Sequence, residues 1–191
     1  METDLSSQQT HGEFSLGDPV VYGLHGKCRV AQIETRVMGG KTIRFYKLEV
    51  LKSALSRSSR SDPAIWVPIT NSTDLGLRAP MNQPQAEVAL KYLTDRDTFP
   101  DLDMDESWHS LQTKLETIAK HEGGLGLAKV FCFMSVLKRR LVAPASPIIK
   151  FYDLIHKLLF RELSETLNEA PKVIEDRITK NLLNKRIPHI K

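Results

Sequence analysis

The sequence predicts an α+β protein in two segregated parts, a small five-stranded, barrel-like sheet followed by an all-helical remainder. Two observations carry this. From Phe14 to Leu77 the chain is rich in β-branched and aromatic runs broken by Gly and Pro, and after Pro80 its apolar residues switch to spacings of three and four. Strands first and helices afterwards is the order of a segregated architecture, not of an alternating one. The 191 residues, 41% hydrophobic and 26% charged, suffice for one large globular domain or two small ones.

Taken in order, residues 1–13 are polar, without an apolar anchor, and are expected to form a disordered tail. Pro19-Val20-Val21-Tyr22 is a short strand before Gly23. Cys28 to Val37 alternates with period two around Val30 and Ile33, with one slip. Gly39-Gly40 then supplies a hairpin turn that needs positive φ, and Thr42 to Leu51 returns as the partner strand. Ser53 to Asp62, rich in Ser and Arg, is read as an exposed loop, and Ile65-Trp66-Val67-Pro68 as a further strand. Five short strands with tight turns imply a twisted, barrel-like sheet over residues 14–80. In residues 81–191, a helix over Pro84–Leu93 pairs Val88 with Tyr92. A second, capped by Asp103 or Asp105, runs to about His121 with Leu111, Leu115 and Ile118 inward, and Gly123-Gly124 stops it. A third runs from Leu125 to about Val142 on Val130, Met134, Leu137 and Leu141. Ser146-Pro147 starts a fourth, carrying Ile148, Tyr152, Ile155, Leu159, Leu163 and Leu167. Pro171 breaks in before a last helix over Lys172–Asn184.

The chemistry of catalysis is not assembled in this chain. Gly40-Lys41-Thr42 ends like a phosphate-binding loop, but Thr35 stands where the first glycine is needed, and strand residues follow. Gly123, Gly124 and Gly126 follow a helix, not a strand, so they are no dinucleotide fingerprint. Asp101, Asp103 and Asp105 alternate like half a calcium loop, yet Glu106 occupies the position of its glycine. His121-Glu122 lacks a second histidine. Cys28 and Cys132 each sit in an apolar pattern and are read as core. Asn71-Ser72-Thr73 matches a glycosylation sequon but carries little weight without a secretion signal. No enzyme, metal or cofactor is therefore expected. No stretch is apolar enough to span a membrane, and the polar, acidic start resembles no secretion signal, so a cytoplasmic protein is expected.

Charge points to binding instead. The net charge is +4, but residues 81–128 hold four Lys and Arg against nine Asp and Glu, and residues 129–191 hold thirteen against six. The basic third, with Lys138, Arg139, Arg140 and Lys150, suits a polyanion, although wet helix faces are the commoner account of such charges. Trp108, three residues before Leu111 and seven before Leu115, is placed either in the core or as a wedge for a minor groove.

From Phe14 the wording becomes specific. Gly17-Asp18-Pro19-Val20-Val21-Tyr22, His25-Gly26, Ile33-Glu34-Thr35-Arg36, Tyr46-Lys47-Leu48, Val67-Pro68 and Gly76-Leu77-Arg78 resemble the CarD family of bacterial transcription regulators. Further on, Trp108 at a helix start, Leu137-Lys138-Arg139-Arg140 and a long helix with Leu158-Leu159 and Glu162-Leu163 continue the likeness more loosely. The resemblance implies a Tudor-like domain over residues 14–80 that docks on the β subunit of RNA polymerase. It also implies a helical domain over residues 81–191 that meets promoter DNA at the upstream edge of the bubble. There a tryptophan enters the minor groove and favours the opened DNA without a sequence code. Carried over by position, Arg36 falls on a polymerase-contacting arginine and Trp108 on the wedge tryptophan. Glu34, Thr35 and Trp66 are grouped with Arg36 as the polymerase-facing set, and His109, Lys138, Arg139, Arg140 and Lys150 with Trp108 as the DNA-facing set. The free protein would be a monomer, found with polymerase on the nucleoid. Two departures stand out. Trp66 replaces an arginine, and His109-Ser110-Leu111-Gln112 follow Trp108 where the family often has arginines. Ser56–Asp62 is read as an insertion. The alternative is an adaptor that binds polymerase or another protein and touches no DNA.

Overall fold

The computed structural model describes residues 13–51, 64–95 and 97–182. Residues 1–12 of the expected tail, the expected Ser53–Asp62 loop with its expected insertion, and residues 183–184 of the expected last helix lie outside the described residues. The sheet holds β1 (Pro19–Tyr22), β2 (Gly26–Met38), β3 (Lys41–Val50), β4 (Ile65–Pro68) and β5 (Leu77–Arg78). Its order is β4-β3-β2-β1-β5, with neighbouring strands antiparallel. The ladder is linear and leaves β4 and β5 as its two edges, so among the described residues the expected barrel does not close.

Gly39 and Gly40 form the β2–β3 turn, at φ 58° and 74°, and Met38 pairs with Lys41 across it. These are the positive angles a two-residue hairpin turn requires and β-carbons resist. The slip in the alternation is physical. The register shifts between Val30 and Gln32, so Ala31 bulges and the two ends of β2 present opposite parity. Val20, Cys28, Val30, Tyr46, Leu48, Val67 and Leu77 fill the inner side of the sheet. Burial pushes the Cys28 thiol up to about 11, so it stays protonated and unreactive at neutral pH. Phe14 joins this core edge-on against Tyr46, at 6.0 Å between centroids, and its N–H donates to Tyr46 Oη at 2.9 Å.

The helices are α1 (Gln83–Thr94), α2 (Trp108–His121), α3 (Gly123–Arg140), α4 (Ser146–Leu167) and α5 (Pro171–Leu182). α3 is the central one, buried nearly all round through Val130, Phe131, Cys132, Phe133, Met134, Val136 and Leu137. Several boundaries differ from the expectation. Asn82 caps α1 in a reciprocal box with Gln85, which turns Ala86, Ala89 and Leu93 inward and leaves Val88 exposed. Ser107, not Asp103 or Asp105, precedes α2. Ala145, not Ser146, is the cap of α4. Pro171 begins the last helix instead of interrupting it, as its missing N–H allows. Leu141, read as core, is exposed, because α3 ends one residue before it.

The glycine cluster does more than stop a helix. Gly123, at φ 61°, reverses the chain, while Gly124 and Gly126 lie inside α3 and let it approach its neighbours. A β-carbon on Gly124 would stand 1.8 Å from Met81 Sδ, and one on Gly126 would stand 2.3 Å from the Ile118 carbonyl oxygen. A methionine side chain can swing away, whereas a helix backbone cannot. Gly126→Ala is therefore expected to cost about 3 kcal/mol, at the upper end for overpacking, and Gly124→Ala about 1 kcal/mol, both read by denaturant unfolding.

Candidate functional site

The solvent-facing side of β2, β3 and β4 gathers charged and aromatic groups. Side chains two apart on a strand share a face, so Glu34 and Arg36 project together and Thr35 projects to the other side. Phe45 pairs with Glu34 and with Pro68, and Lys47 pairs with Trp66, which sets Phe45, Lys47 and Trp66 on the face of Arg36. Two strand spacings, about 10 Å, separate β2 from β4. The Arg36 side chain bridges them. Its guanidinium passes Phe45 at 5.8 Å and lies over the Trp66 ring at 3.7 Å from the centroid. Lys47 Nζ is 5.5 Å from the same ring. Arg36 Nε donates to Glu34 Oε1 at 3.0 Å. The stack and this bond fix the arginine while its terminal nitrogens make no hydrogen bond among the described residues.

A stacked cation of this kind contributes about 0.5–1 kcal/mol when exposed and about 2 kcal/mol when a partner desolvates it. The patch has the composition of an interface centre, an arginine and a tryptophan over a buried phenylalanine. The structure thus brings Glu34, Arg36 and Trp66 together and leaves exposed Thr35 on the opposite side. Lys47 and Phe45 belong to the same patch and were missed. Tyr46-Lys47-Leu48 drew notice only as a motif, and the role of Lys47 follows from its register opposite Trp66.

A second group of candidates surrounds one end of the helical part. Trp108 opens α2 half-buried, edge-on to Phe151 at 5.7 Å. Its Nε1 is buried without a hydrogen-bond partner among the described residues. His109 beside it is exposed. Arg140, at the end of α3, lies 3.6 Å from Asp105, just ahead of α2. Lys138 Nζ stands 4.2 Å above the Tyr152 ring. Arg139 donates to the Ser135 carbonyl at 3.2 Å and to the Leu182 carbonyl at 3.0 Å. Lys150 is exposed in the first turn of α4. Trp108→Phe is expected to change stability by less than about 1 kcal/mol, since phenyl keeps the edge contact and removes the unpaired donor. Thermal unfolding checks this.

A seam joins the two parts. Arg78, on β5, makes a two-pronged contact with Glu162 on α4, Nη1–Oε1 2.7 Å and Nη2–Oε2 2.8 Å. Glu162 Oε1 also accepts the Met81 N–H at 2.8 Å. Arg161 Nη1 donates to the Leu51 carbonyl at 2.7 Å, and Lys27 pairs with Glu165. Burial opposes charge on Glu165, but hydrogen bonds from Lys27 and Arg161 prevail and hold its carboxyl below the usual range. Gly26 keeps the contact close, for a β-carbon there would stand 2.5 Å from Leu158 Cδ2.

Among the described residues no group of three or more His, Cys, Asp or Glu is arranged to hold a metal ion, and no helix is long and apolar enough to cross a membrane. The open sheet carries an arginine stacked on a tryptophan and is braced on a helical bundle. Residues 14–75 match the model of the CarD-like/TRCF RID domain family, so the sheet part of the chain is similar to that domain. That family consists of polymerase-interaction domains of transcription-related proteins and is not a catalytic one. The match holds Glu34, Arg36, Lys47 and Trp66 and ends before β5. No curated protein matches the chain.

Proposed function

We propose that this protein is a transcription regulator. Its sheet domain, residues 14–80, docks on the β subunit of RNA polymerase, and its helical domain, residues 81–191, holds opened promoter DNA at the upstream edge of the bubble. The observation that carries the docking half is the stack of Arg36 on Trp66 at 3.7 Å, on a solvent-facing surface inside the family match. The tryptophan in place of the family's arginine gives Arg36 a rigid platform. The docked surface keeps its cation and gains an apolar anchor.

The second half rests on charge and on the seam. Trp108, His109, Lys138, Arg139, Arg140 and Lys150 are the DNA-facing candidates. The Arg78–Glu162 contact makes the helical domain follow the docked sheet, so binding at polymerase brings the cationic end to DNA that polymerase has already chosen. Contacts made only with opened DNA shift the population toward it, and a tenfold shift corresponds to about 1.4 kcal/mol. No sequence code is required, and the Tudor-like comparison enters at this level, as a docking fold with an open sheet. Such a protein resides with polymerase in the cytoplasm, on the nucleoid.

One set of residues favours the adaptor reading instead. Asp101, Asp103, Asp105 and Glu106 precede Trp108, and they repel phosphates. Promoter-complex lifetimes with and without the protein, measured across salt concentrations, separate the two. A DNA-contacting regulator lengthens them with an effect that fades steeply as salt rises, by a logarithmic slope of about 0.9 per phosphate contacted. A salt-insensitive effect selects the adaptor, and no effect overturns the regulator.

A further inference from the structure

Where the sheet meets the bundle, the seam does not close. Beside the Arg78–Glu162 contact it leaves a cleft of about 390 Å³. That is the size of a small-molecule site, and such sites favour the junctions between folded parts. Val21 on β1, Pro80 and Met81 on the connection, Leu127 on α3 and Leu158 on α4 form apolar walls. Gly23 and Gly26, both at positive φ, line it without side chains and leave the space between those walls free.

The polar groups of the cleft are lopsided. Each carboxylate oxygen in its lining already accepts a hydrogen bond. Glu162 accepts from Arg78 and from the Met81 N–H, and Glu165 accepts from Lys27 on Oε2 and from Arg161 on Oε1. Thr166 Oγ1 donates to the Met81 carbonyl at 3.2 Å. The donors, in contrast, have capacity left. Among the described residues Lys27 Nζ makes a single hydrogen bond, where an ammonium can make more, and Arg161 Nη2 makes none. Three cations, Lys27, Arg78 and Arg161, stand against two acids, Glu162 and Glu165. Lys27 and Arg161 hold the two oxygens of one carboxylate, so their head groups lie side by side. The bond from Arg161 Nη1 to the Leu51 carbonyl, at 2.7 Å, fixes the guanidinium there. A molecule that completes this site has to accept hydrogen bonds and carry negative charge at one end and be apolar at the other.

We propose that this cleft binds a small aliphatic carboxylate, with its chain among Val21, Met81 and Leu158 and its head group on Lys27 and Arg161. The head-group contacts are charge-assisted hydrogen bonds, the stronger kind. The bound molecule touches β1 and β2 on one side and α3 and α4 on the other. It therefore binds only when sheet and bundle are seated on each other, and by mass action it stabilises that arrangement. A ligand of this class tightens the seam that makes the helical part follow the docked sheet. That consequence rests on the regulator reading above, whereas the binding itself does not.

Octanoate is the probe, titrated calorimetrically into the 191-residue chain. Octylammonium, the same chain with the opposite charge, is run in parallel. Octanoate is expected to bind with a dissociation constant on the order of 0.1–1 mM, at least about tenfold tighter than octylammonium. At about ten times that constant it should raise the melting temperature by about 3–6 °C. Amide shifts of the isotope-labelled chain should cluster at Val21, Lys27, Met81 and Leu158. Lys27→Gln/Arg161→Gln should lower octanoate affinity about tenfold and remove the preference over octylammonium. Val21→Met extends into the cleft from β1 and leaves its charges alone, so it should lose octanoate binding with the fold kept, and it decides the matter if the charge pair fails to fold. The proposal is overturned if the folded wild type does not bind octanoate, if the two probes bind equally, if the amide shifts centre away from the cleft, or if Val21→Met binds as wild type does.

Discussion

Arg36→Glu will weaken binding to the polymerase β subunit at least about a hundredfold, some 2.7 kcal/mol, and leave the fold intact. The reasoning starts from the sheet register. Arg36 spans two strands to reach Trp66, with Nε on Glu34 and the terminal nitrogens making no hydrogen bond among the described residues. Reversal of its charge removes the donors, places a second carboxylate near Glu34, and bares the Trp66 ring. Its side chain is 38% exposed and lies outside the sheet core, so circular dichroism and melting temperature should hardly move. Trp66→Ala should weaken binding too. Because the two side chains share one contact, the double variant should lose less than the sum, with coupling of about 1 kcal/mol. Additive losses would mean that the stack is incidental to docking.

The largest stability effect is expected at the seam. Glu162→Ala should cost about 3–5 kcal/mol, because it strands Arg78 at a mostly buried site and leaves the Met81 N–H without its acceptor. The side chains of Arg78 and Glu162 are only 16% and 11% exposed, which places them far from the weak surface pairs elsewhere on the molecule. Removal of both partners should cost less than removal of Glu162 alone, since no unpaired charge remains. The functional consequence differs from that of Arg36. A seam variant stable enough to assay should still dock, yet lose stabilisation of the open promoter, because the helical domain no longer follows the sheet. Chemical denaturation and promoter lifetimes on the same preparations check both parts.

Local chemistry made much of this molecule legible. Gly39-Gly40 announces a turn that only positive φ allows, and the break in alternation before Gln32 is the bulge itself. Periodicity misled where a pattern outran its element. Leu141 continues the spacing of Val130, Met134 and Leu137, but α3 ends at Arg140, and a residue read as core becomes part of an exposed tip. Val88 failed for a related reason, since the Asn82 cap sets the phase of α1 and turns Ala86 and Ala89 inward instead. The site was half legible. Arg36 and Trp66 emerged from family likeness as separate positions, and only the strand order β4-β3-β2 stacks them. Arg78 and Glu162, 84 residues apart, share no local pattern at all. Their pairing is a product of packing β5 against α4.

The most direct measurement is a titration of the 191-residue chain, with Trp108→Phe leaving Trp66 as its one tryptophan, against a tryptophan-free isolated lobe of the RNA polymerase β subunit, followed by fluorescence with Arg36→Glu in parallel. Saturable binding that perturbs the tryptophan signal and vanishes in Arg36→Glu is the result predicted here. Absence of binding by the wild type, or equal binding by Arg36→Glu, would contradict the assignment of this face as the polymerase dock.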